Sequence, residues 1–537
     1  EWDPQISLRT TFPVVILSKV HQFVGLFEKP PMTDAICGYI HAHLGRLTGT
    51  LFALVVDISI PQIAHVFGNE KTYNQSLTYH SLLWALLSHW AFYSGSRALA
   101  NSWETALTSA AIVLLFNIHR RHYLSGCCCA TLAMILRPSS VPFWFVVFAV
   151  LVQSVLWQVL LNAKILMACF FTIVMTAALD GQQYGWMKLG PWLYLPRYAP
   201  VQWVLFNFLQ ASDAARLFGA HPWHWSGYHS VDHLPVFLCL YISISICLVF
   251  MKPYPCVWLT VYRYFTCGVW SVGGPALVAC FLFKASDVKQ WGWVAVFVYM
   301  STHSVVSHKE DRFLSPIVPL LSAYAAVSTH RGYSTAKTST RALLMALSVL
   351  SIILALYLSL YHQAAPEQTM HFLRSTTDTS QDKTLHILTP CYSTPGSAFL
   401  HHAPVTGFML ECDPRFTPPS TPLTEFNCFN ISETTETTEG TGLSKIGLSA
   451  SSCFETFPYA FVTRLYSRVP LPTYVISWAS SNEDNEHVLF ERWLKQLFSE
   501  KRRFFNGHFH TSGSSFMVLW ERKPHIEEER KHLLHNS

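Results

Sequence analysis

The chain has 537 residues, of which 51% are hydrophobic and only 13% charged, with a mean hydropathy of +0.26. Average soluble domains carry about 25% charged residues, so this composition excludes an ordinary soluble globular protein and fits a polytopic membrane protein. The net charge of +5 is small for this length; it fits basic loops beside a membrane better than a nucleic-acid-binding surface.

The chain begins Glu1-Trp2-Asp3-Pro4, which is neither a signal peptide nor the start of a span. We expect an N-terminal truncation. Residues 13–27 are apolar but contain Lys19 and His21 and are marginally long. An interfacial helix is expected there, within a luminal segment 1–35. A spanning helix needs about 20 mostly apolar residues. Candidates lie near 36–58, 78–96, 104–118, 122–136, 140–162, 164–180, 232–251, 255–270, 272–284, 291–306, 313–328 and 342–361. A domain of about twelve spans over 36–361 follows by that criterion.

Lys and Arg in short loops set orientation. Arg120-Arg121, Lys164, Lys252, Lys284 with Lys289, and Arg331 with Lys337 and Arg341 share one parity, assigned to the cytosol. The opposite side receives 97–103, Arg137-Pro138, a long loop 181–231, the segment 308–313 and everything from 362. Arg97, Arg137 and Arg312 break the charge bias. An Arg on the disfavoured side often has a task, although snorkelling explains some of them.

Residues 362–537 differ from the rest. Alternating stretches such as 473–478 and 516–520 predict a small α/β domain outside the membrane. Residues 417–452, rich in Thr, Ser and Glu, read as a flexible insertion. Asn430-Ile431-Ser432 and Asn74-Gln75-Ser76 are glycosylation sequons. Asn74 falls on the cytosolic side, so only Asn430 is expected to be modified. Cys391, Cys412, Cys428 and Cys453 lie in this polar tail. Their even number suits an oxidising compartment, and no CxxC spacing indicates zinc.

Three constellations could carry chemistry. The first is His308-Lys309-Glu310-Asp311-Arg312-Phe313, five ionisable residues between apolar segments. Charge at a membrane boundary is costly and marks cavities or paths. Lys309, Arg312 and His308 can neutralise a phosphate, Arg in bidentate fashion. Glu310 can orient them or bind sugar hydroxyls. The second is His221-Pro222-Trp223-His224-Trp225 in the long loop. Indole and imidazole rings there suit a sugar or headgroup platform; an interfacial aromatic belt is the alternative. The third is Arg97, Asn101 and Glu104, one polar stripe at helical spacing. Glu104 could orient Arg97, and an acidic residue opening a helix also serves as a cap.

His308–Phe313 resembles the HKExRF signature of the endoplasmic-reticulum mannosyltransferases that use dolichyl-phosphate mannose (glycosyltransferase family 22). His221–Trp225 resembles HPWHWY of the branch that builds glycosylphosphatidylinositol (GPI) anchors, with Ser226 in place of the last Tyr. Residues 97–105 resemble that branch's RTLTNTMET, and Pro390–Pro395 its PCHSTP. The resemblance implies a helical polytopic fold of the GT-C type with a small luminal α/β domain at the C-terminus. It implies addition of the third, α1,2-linked mannose to a GPI lipid precursor in the lumen, from dolichyl-phosphate mannose and with inversion. It also implies that His308, Lys309, Glu310, Arg312, Arg97 and Glu104 bind the donor. His221, Trp223, His224 and Trp225 would face the acceptor. Neither cofactor nor metal is expected, because the leaving phosphate is already anionic and cations can stabilise it. The family's acidic catalytic segment, DPDEYWQ-like, has no match here. The alternatives are another branch of the same family, a lipid transporter, or an inactive scaffold.

Overall fold

The computed structural model describes residues 12–25, 34–70, 74–95, 100–116, 122–155, 162–188, 194–204, 269–283, 289–305, 311–376, 383–389, 405–410, 450–479, 485–508 and 515–524. The chain divides into two compact units. One is Glu1–Phe23 with His43–Ser359, the other Val24–Ala42 with Leu360–Ser537.

The first unit is helical. In chain order it contains α1 (Phe12–Gly25), most of α2 (Asp34–Gly68), α3 (Gln75–Leu86), α4 (His89–Gly95), α5 (Ala100–Phe116), α6 (Tyr123–Leu136) and α7 (Val141–Val155). There follow α8 (Ala163–Tyr184), a hairpin of β1 (Trp186–Lys188) and β2 (Tyr194–Pro196), and α9 (Ala199–Val204). The unit then continues with α10 (Val269–Leu282), α11 (Trp291–Val305), α12 (Val318–Gly332) and α13 (Thr338–Leu360). By length and composition, His43–Gly68, Ala163–Tyr184, Arg312–Gly332 and Thr338–Thr376 can cross a bilayer. The 14 residues of α1 reach only ~21 Å at 1.5 Å per residue, short of a ~30 Å hydrocarbon core.

α12 is the central helix, with every residue from Val318 to Thr329 buried. Its Ala323, Ala325, Ala326, Ser322 and Ser328 are small, which lets neighbouring backbones come close where no hydrophobic effect separates helix from lipid. Around it, Tyr324 stacks on Phe67 (4.2 Å between ring centroids) and on Trp293 (4.7 Å). Gly292 leaves the room for this stack: a Cβ there would meet the Tyr324 hydroxyl at 2.5 Å. By contrast α8 leaves Met167, Phe170 and Phe171 exposed, and α13 does the same with Met345 and Ile353. Those faces suit contact with lipid.

Several boundaries differ from the sequence expectation. α2 continues ten residues beyond 58, through Pro61. The span expected at 78–96 is broken into α3 and α4, because the Ser88 hydroxyl accepts the Ala91 amide and caps a new helix. The helix expected from 313 starts at Val318, preceded by a 3-10 segment, Asp311–Ile317. Pro316 and Pro319 supply no amide donors there. α10 is two helical pieces joined at Gly274, whose φ of 45° precedes Pro275. The spans expected at 232–251 and over most of 255–270 lie outside the described residues.

The second unit holds α14 (Ala365–Thr376), β3 (Lys383–Leu388), β4 (Val405–Met409), α15 (Ala450–Thr456), α16 (Pro458–Arg468), β5 (Tyr474–Trp478), α17 (Asn485–Leu497), β6 (Phe498–Phe505) and β7 (Phe516–Arg522). Its sheet has the order β4-β3-β5-β7-β6. β4, β3 and β5 are parallel, while β7 is antiparallel to both β5 and β6. Period-two alternation divides the strands between two cores. Leu388, Val475, Val518 and Trp520 pack with Phe461, Val462 and Leu465 of α16 and Phe490 and Leu494 of α17. Leu385, Ile387, Ile476, Met517 and Leu519 pack with Ala365, Met370 and Leu373 of α14. Each such side chain contributes roughly 1.5–3 kcal/mol on burial. This is the α/β domain expected from residues 473–478 and 516–520.

Candidate functional site

Among the described residues, the end of the 308–313 segment rests on a buried polar knot. Four chain segments build it. Asn101 and Glu104 lie on one face of α5, as their spacing predicts. Arg137 closes α6 in extended conformation (φ −143°, ψ 98°). The next residue, Pro138, disfavours the helical region at Arg137 and ends the helix there. Tyr299 and His303 lie one turn apart on α11. The fourth segment is the 3-10 stretch Asp311–Ile317.

Glu104 is fully enclosed and Arg137 almost so. Arg137 Nε lies 3.8 Å from Glu104 Oε2. The Tyr299 hydroxyl lies 3.0 Å from Glu104 Oε1 and 2.9 Å from the Phe313 carbonyl oxygen, so it can donate to either. The Arg137 guanidinium sits over the Phe313 ring, 4.1 Å from its centroid, a favourable cation–π placement. Asn101 Nδ2 donates to the Arg312 carbonyl (2.7 Å), and so does Ser315 Oγ (2.8 Å). Trp90 Nε1 in turn donates to Ser315 Oγ at 3.0 Å. His303 packs on Tyr299 and near Phe313.

The backbone of Arg312 and the ring and carbonyl of Phe313 are therefore held from three sides. Such support positions a charged side chain for ligand contact. Arg312 itself is half-buried. The Glu104 carboxylate acts on this segment from behind, through Tyr299 and Arg137, rather than at an open surface. Single polar residues elsewhere have local tasks. Asp180 on α8 is buried and accepts the Ala199 amide at the start of α9. Asn74 caps α3 by accepting the Leu77 amide and lies 3.2 Å from His330 Nε2, while Ser76 Oγ lies 3.2 Å from His330 Nδ1.

Of the residues singled out in the sequence, Glu104 and Arg312 are brought together here. Arg97, His308, Lys309 and Glu310 lie outside the described residues, as do His221, Trp223, His224, Trp225 and Asn430. Sequence reasoning missed the partners. Arg137 had stood out only as a basic residue on the disfavoured side. Tyr299 and His303 gave no signal beyond their four-residue spacing in an apolar helix.

Comparison with known proteins decides the family. Residues 1–401 match the Alg9-like mannosyltransferase family. The chain belongs to that family. It is 23% identical to "Mannosyltransferase APTG1" of Arabidopsis thaliana over 525 residues, 91% of this chain and 78% of the relative. It is 25% identical to "GPI alpha-1,2-mannosyltransferase 3" of Danio rerio, over 62% of this chain and 53% of the relative. The Homo sapiens protein of the same description is 25% identical, over 79% of this chain and 66% of the relative. The chain thus spans about half to four fifths of the length of these relatives. No solved structure matches.

Proposed function

We propose that this chain transfers an α1,2-linked mannose, the third, from dolichyl-phosphate mannose to a GPI lipid precursor in the lumen of the endoplasmic reticulum. The observation that carries this reading is the buried knot behind Arg312 and Phe313 in a chain of the mannosyltransferase family. The names of the relatives support the acceptor and the linkage. Cys453 is half of a disulfide, which supports an oxidising, luminal setting for the second unit.

Converting a β-linked donor into an α-linked product in one displacement inverts the anomeric carbon. It needs a base for the attacking hydroxyl and stabilisation of the departing phosphate. Arg312 is suited to the second task, with Lys309 and His308 beside it in sequence. Asn101 and Tyr299 hold the Arg312–Phe313 backbone, and Arg137, paired with Glu104, lies over the Phe313 ring, so the cation need not reorganise as charge develops. His221–Trp225 supplies groups suited to the acceptor sugar.

Cells arrested at the two-mannose GPI intermediate provide the test, with the full-length protein expressed in them. The lipid pool should shift to a three-mannose species whose terminal sugar is released by α1,2-mannosidase. A pool still stalled at two mannoses, with the protein present in the membrane, contradicts the reading.

A further inference from the structure

The sheet of the second unit has a topological switch that the reading above does not use. Its parallel strands lie in the order β4-β3-β5, so the chain leaves β3 for β4 on one side and returns to β5 on the other. In open α/β sheets ligands bind at the carboxyl ends of the strands beside such a switch. Leu388 and Trp478 mark that end here. β7 starts there, pairing Met517 with Trp478, and the Ala479 amide donates to the Phe516 carbonyl at 3.0 Å. β6 finishes there, with Phe505 opposite Phe516 and the Asn506 amide donating to the Ser515 carbonyl at 2.7 Å. The Gln363 amide donates to the Asn506 carbonyl at 2.6 Å, which brings the start of α14 to the same end.

Two polar atoms at this end are buried without a hydrogen-bond partner among the described residues: Trp478 Nε1, a donor, and Asn506 Oδ1, an acceptor. Asn506 is 6% exposed, and Trp478 packs on the α14 side of the sheet. The neighbouring indole of Trp520 is satisfied, by contrast, through Ser477 Oγ at 3.0 Å. An unpaired buried donor or acceptor carries a desolvation cost, which an occupant's hydrogen bonds would remove.

Charge decides the class of occupant. α17 ends where β6 begins, at the opposite end of the sheet, so its first turn lies at this one. The first turns of α14 and α17 carry Glu367 and Glu486. Glu486 Oε2 already accepts the Tyr459 and Ala460 amides, at 3.1 and 3.3 Å, so the positive start of α16 is taken. An anion would meet these carboxylates, whereas a neutral polyol meets a donor and an acceptor. Trp478 on β5 and Asn506 beyond β6 are two strands apart, ~10 Å at the usual strand spacing. A disaccharide bridges that distance and a phosphate ion does not. The indole face also suits a sugar ring.

We propose that the carboxyl end of this sheet is a carbohydrate-binding site, where Trp478 Nε1 donates to, and Asn506 Oδ1 accepts from, the hydroxyls of a neutral mannose-containing glycan. The choice of mannose rests on the mannosyltransferase reading; the site itself rests on the second unit alone. It is separate from the Arg312 segment, and it reads sugar hydroxyls and no phosphate.

The test titrates the full chain in detergent with α1,2-mannobiose and with inorganic phosphate by calorimetry, and maps protection by hydrogen exchange. Mannobiose should bind and should protect residues 474–479 and 515–522. Trp478→Phe keeps an aromatic ring and removes the N–H; Asn506→Leu keeps the size and removes the acceptor. Each should weaken mannobiose binding about fivefold, while Asn506→Asp, which keeps an acceptor oxygen, should bind as the wild type does. Phosphate should not displace the sugar. Equal binding by the wild type, Trp478→Phe and Asn506→Leu overturns the proposal, and so does phosphate that competes with mannobiose. Where either variant does not fold, protection in the wild type decides: its presence over 474–479 and 515–522 supports the site and its absence refutes it. Arg312→Ala separates the two readings, because it should lose transfer and keep mannobiose binding. Binding that depends on Trp478 in a wild-type chain that transfers no mannose would uphold this site while rejecting the activity.

Discussion

At the scale of single residues, the enclosed pair Glu104–Arg137 makes the sharpest stability statement. Removing one member of a buried ion pair leaves an uncompensated charge and costs about 3–5 kcal/mol, whereas replacing both with apolar groups costs far less. Arg137→Met alone should therefore lower the thermal midpoint of the detergent-purified protein strongly. The double variant Glu104→Met/Arg137→Met should recover much of it, and a double variant no better than the single one would show the pair is not coupled. Arg312 predicts a different pattern. Arg312→Ala together with Lys309→Ala should abolish mannose transfer while leaving insertion and thermal midpoint near wild type; retained transfer would remove these cations from the mechanism. The sequence made Asn101 and Glu104 legible as one face of a helix, because helical spacing is local. It could not pair Glu104 with Arg137, 33 positions on, since that contact depends on how α5 packs beside the Arg137–Pro138 corner. Tyr299 was invisible for the same reason: in an apolar helix a tyrosine reads as core or interface until its hydroxyl is seen to reach Glu104 and Phe313.

At the scale of elements, the β3 strand carries a pH-dependent contact. His386 Nδ1 lies 2.9 Å from the Tyr466 hydroxyl, and the two rings stack between Phe408 and Trp493. Burial pushes the His386 pKa down from 6.5 to about 4, and burial also pushes the Tyr466 phenol up. The sign follows directly. Above 6.5 the imidazole is neutral in both states, and its contribution is fully present. As pH falls from 6.5 toward 4, the unfolded chain takes up a proton that the folded domain resists, so the domain loses stability. Hydrogen exchange of β3 and β5 in the full chain should accelerate over that window, and His386→Gln should flatten the dependence. An unchanged slope in that variant would assign it to other groups. The strands of this domain were readable because alternation survives in Tyr474–Trp478 and Phe516–Trp520. The breaks between α3 and α4 and ahead of α12 were not. They arise from a capping serine and two prolines set within otherwise continuous apolar runs.

At the scale of the whole molecule, orientation is the organising expectation, and glycosylation reads it out. The Asn74 side chain is occupied at the start of α3 and beside His330; the proposed orientation from Lys/Arg placement assigns Asn74 to the cytosol and Asn430 to the lumen. Deglycosylation should shift the mobility of the wild type and of Asn74→Gln but leave Asn430→Gln unchanged. A shift abolished by Asn74→Gln would invert the topology. The donor is the claim on which the account turns. Microsomes containing the full-length protein, with synthesis of dolichyl-phosphate mannose blocked, should be given either dolichyl-phosphate [3H]mannose or GDP-[3H]mannose. The account predicts label in the three-mannose GPI lipid from the dolichyl donor alone. Label that enters only from the nucleotide sugar would contradict it.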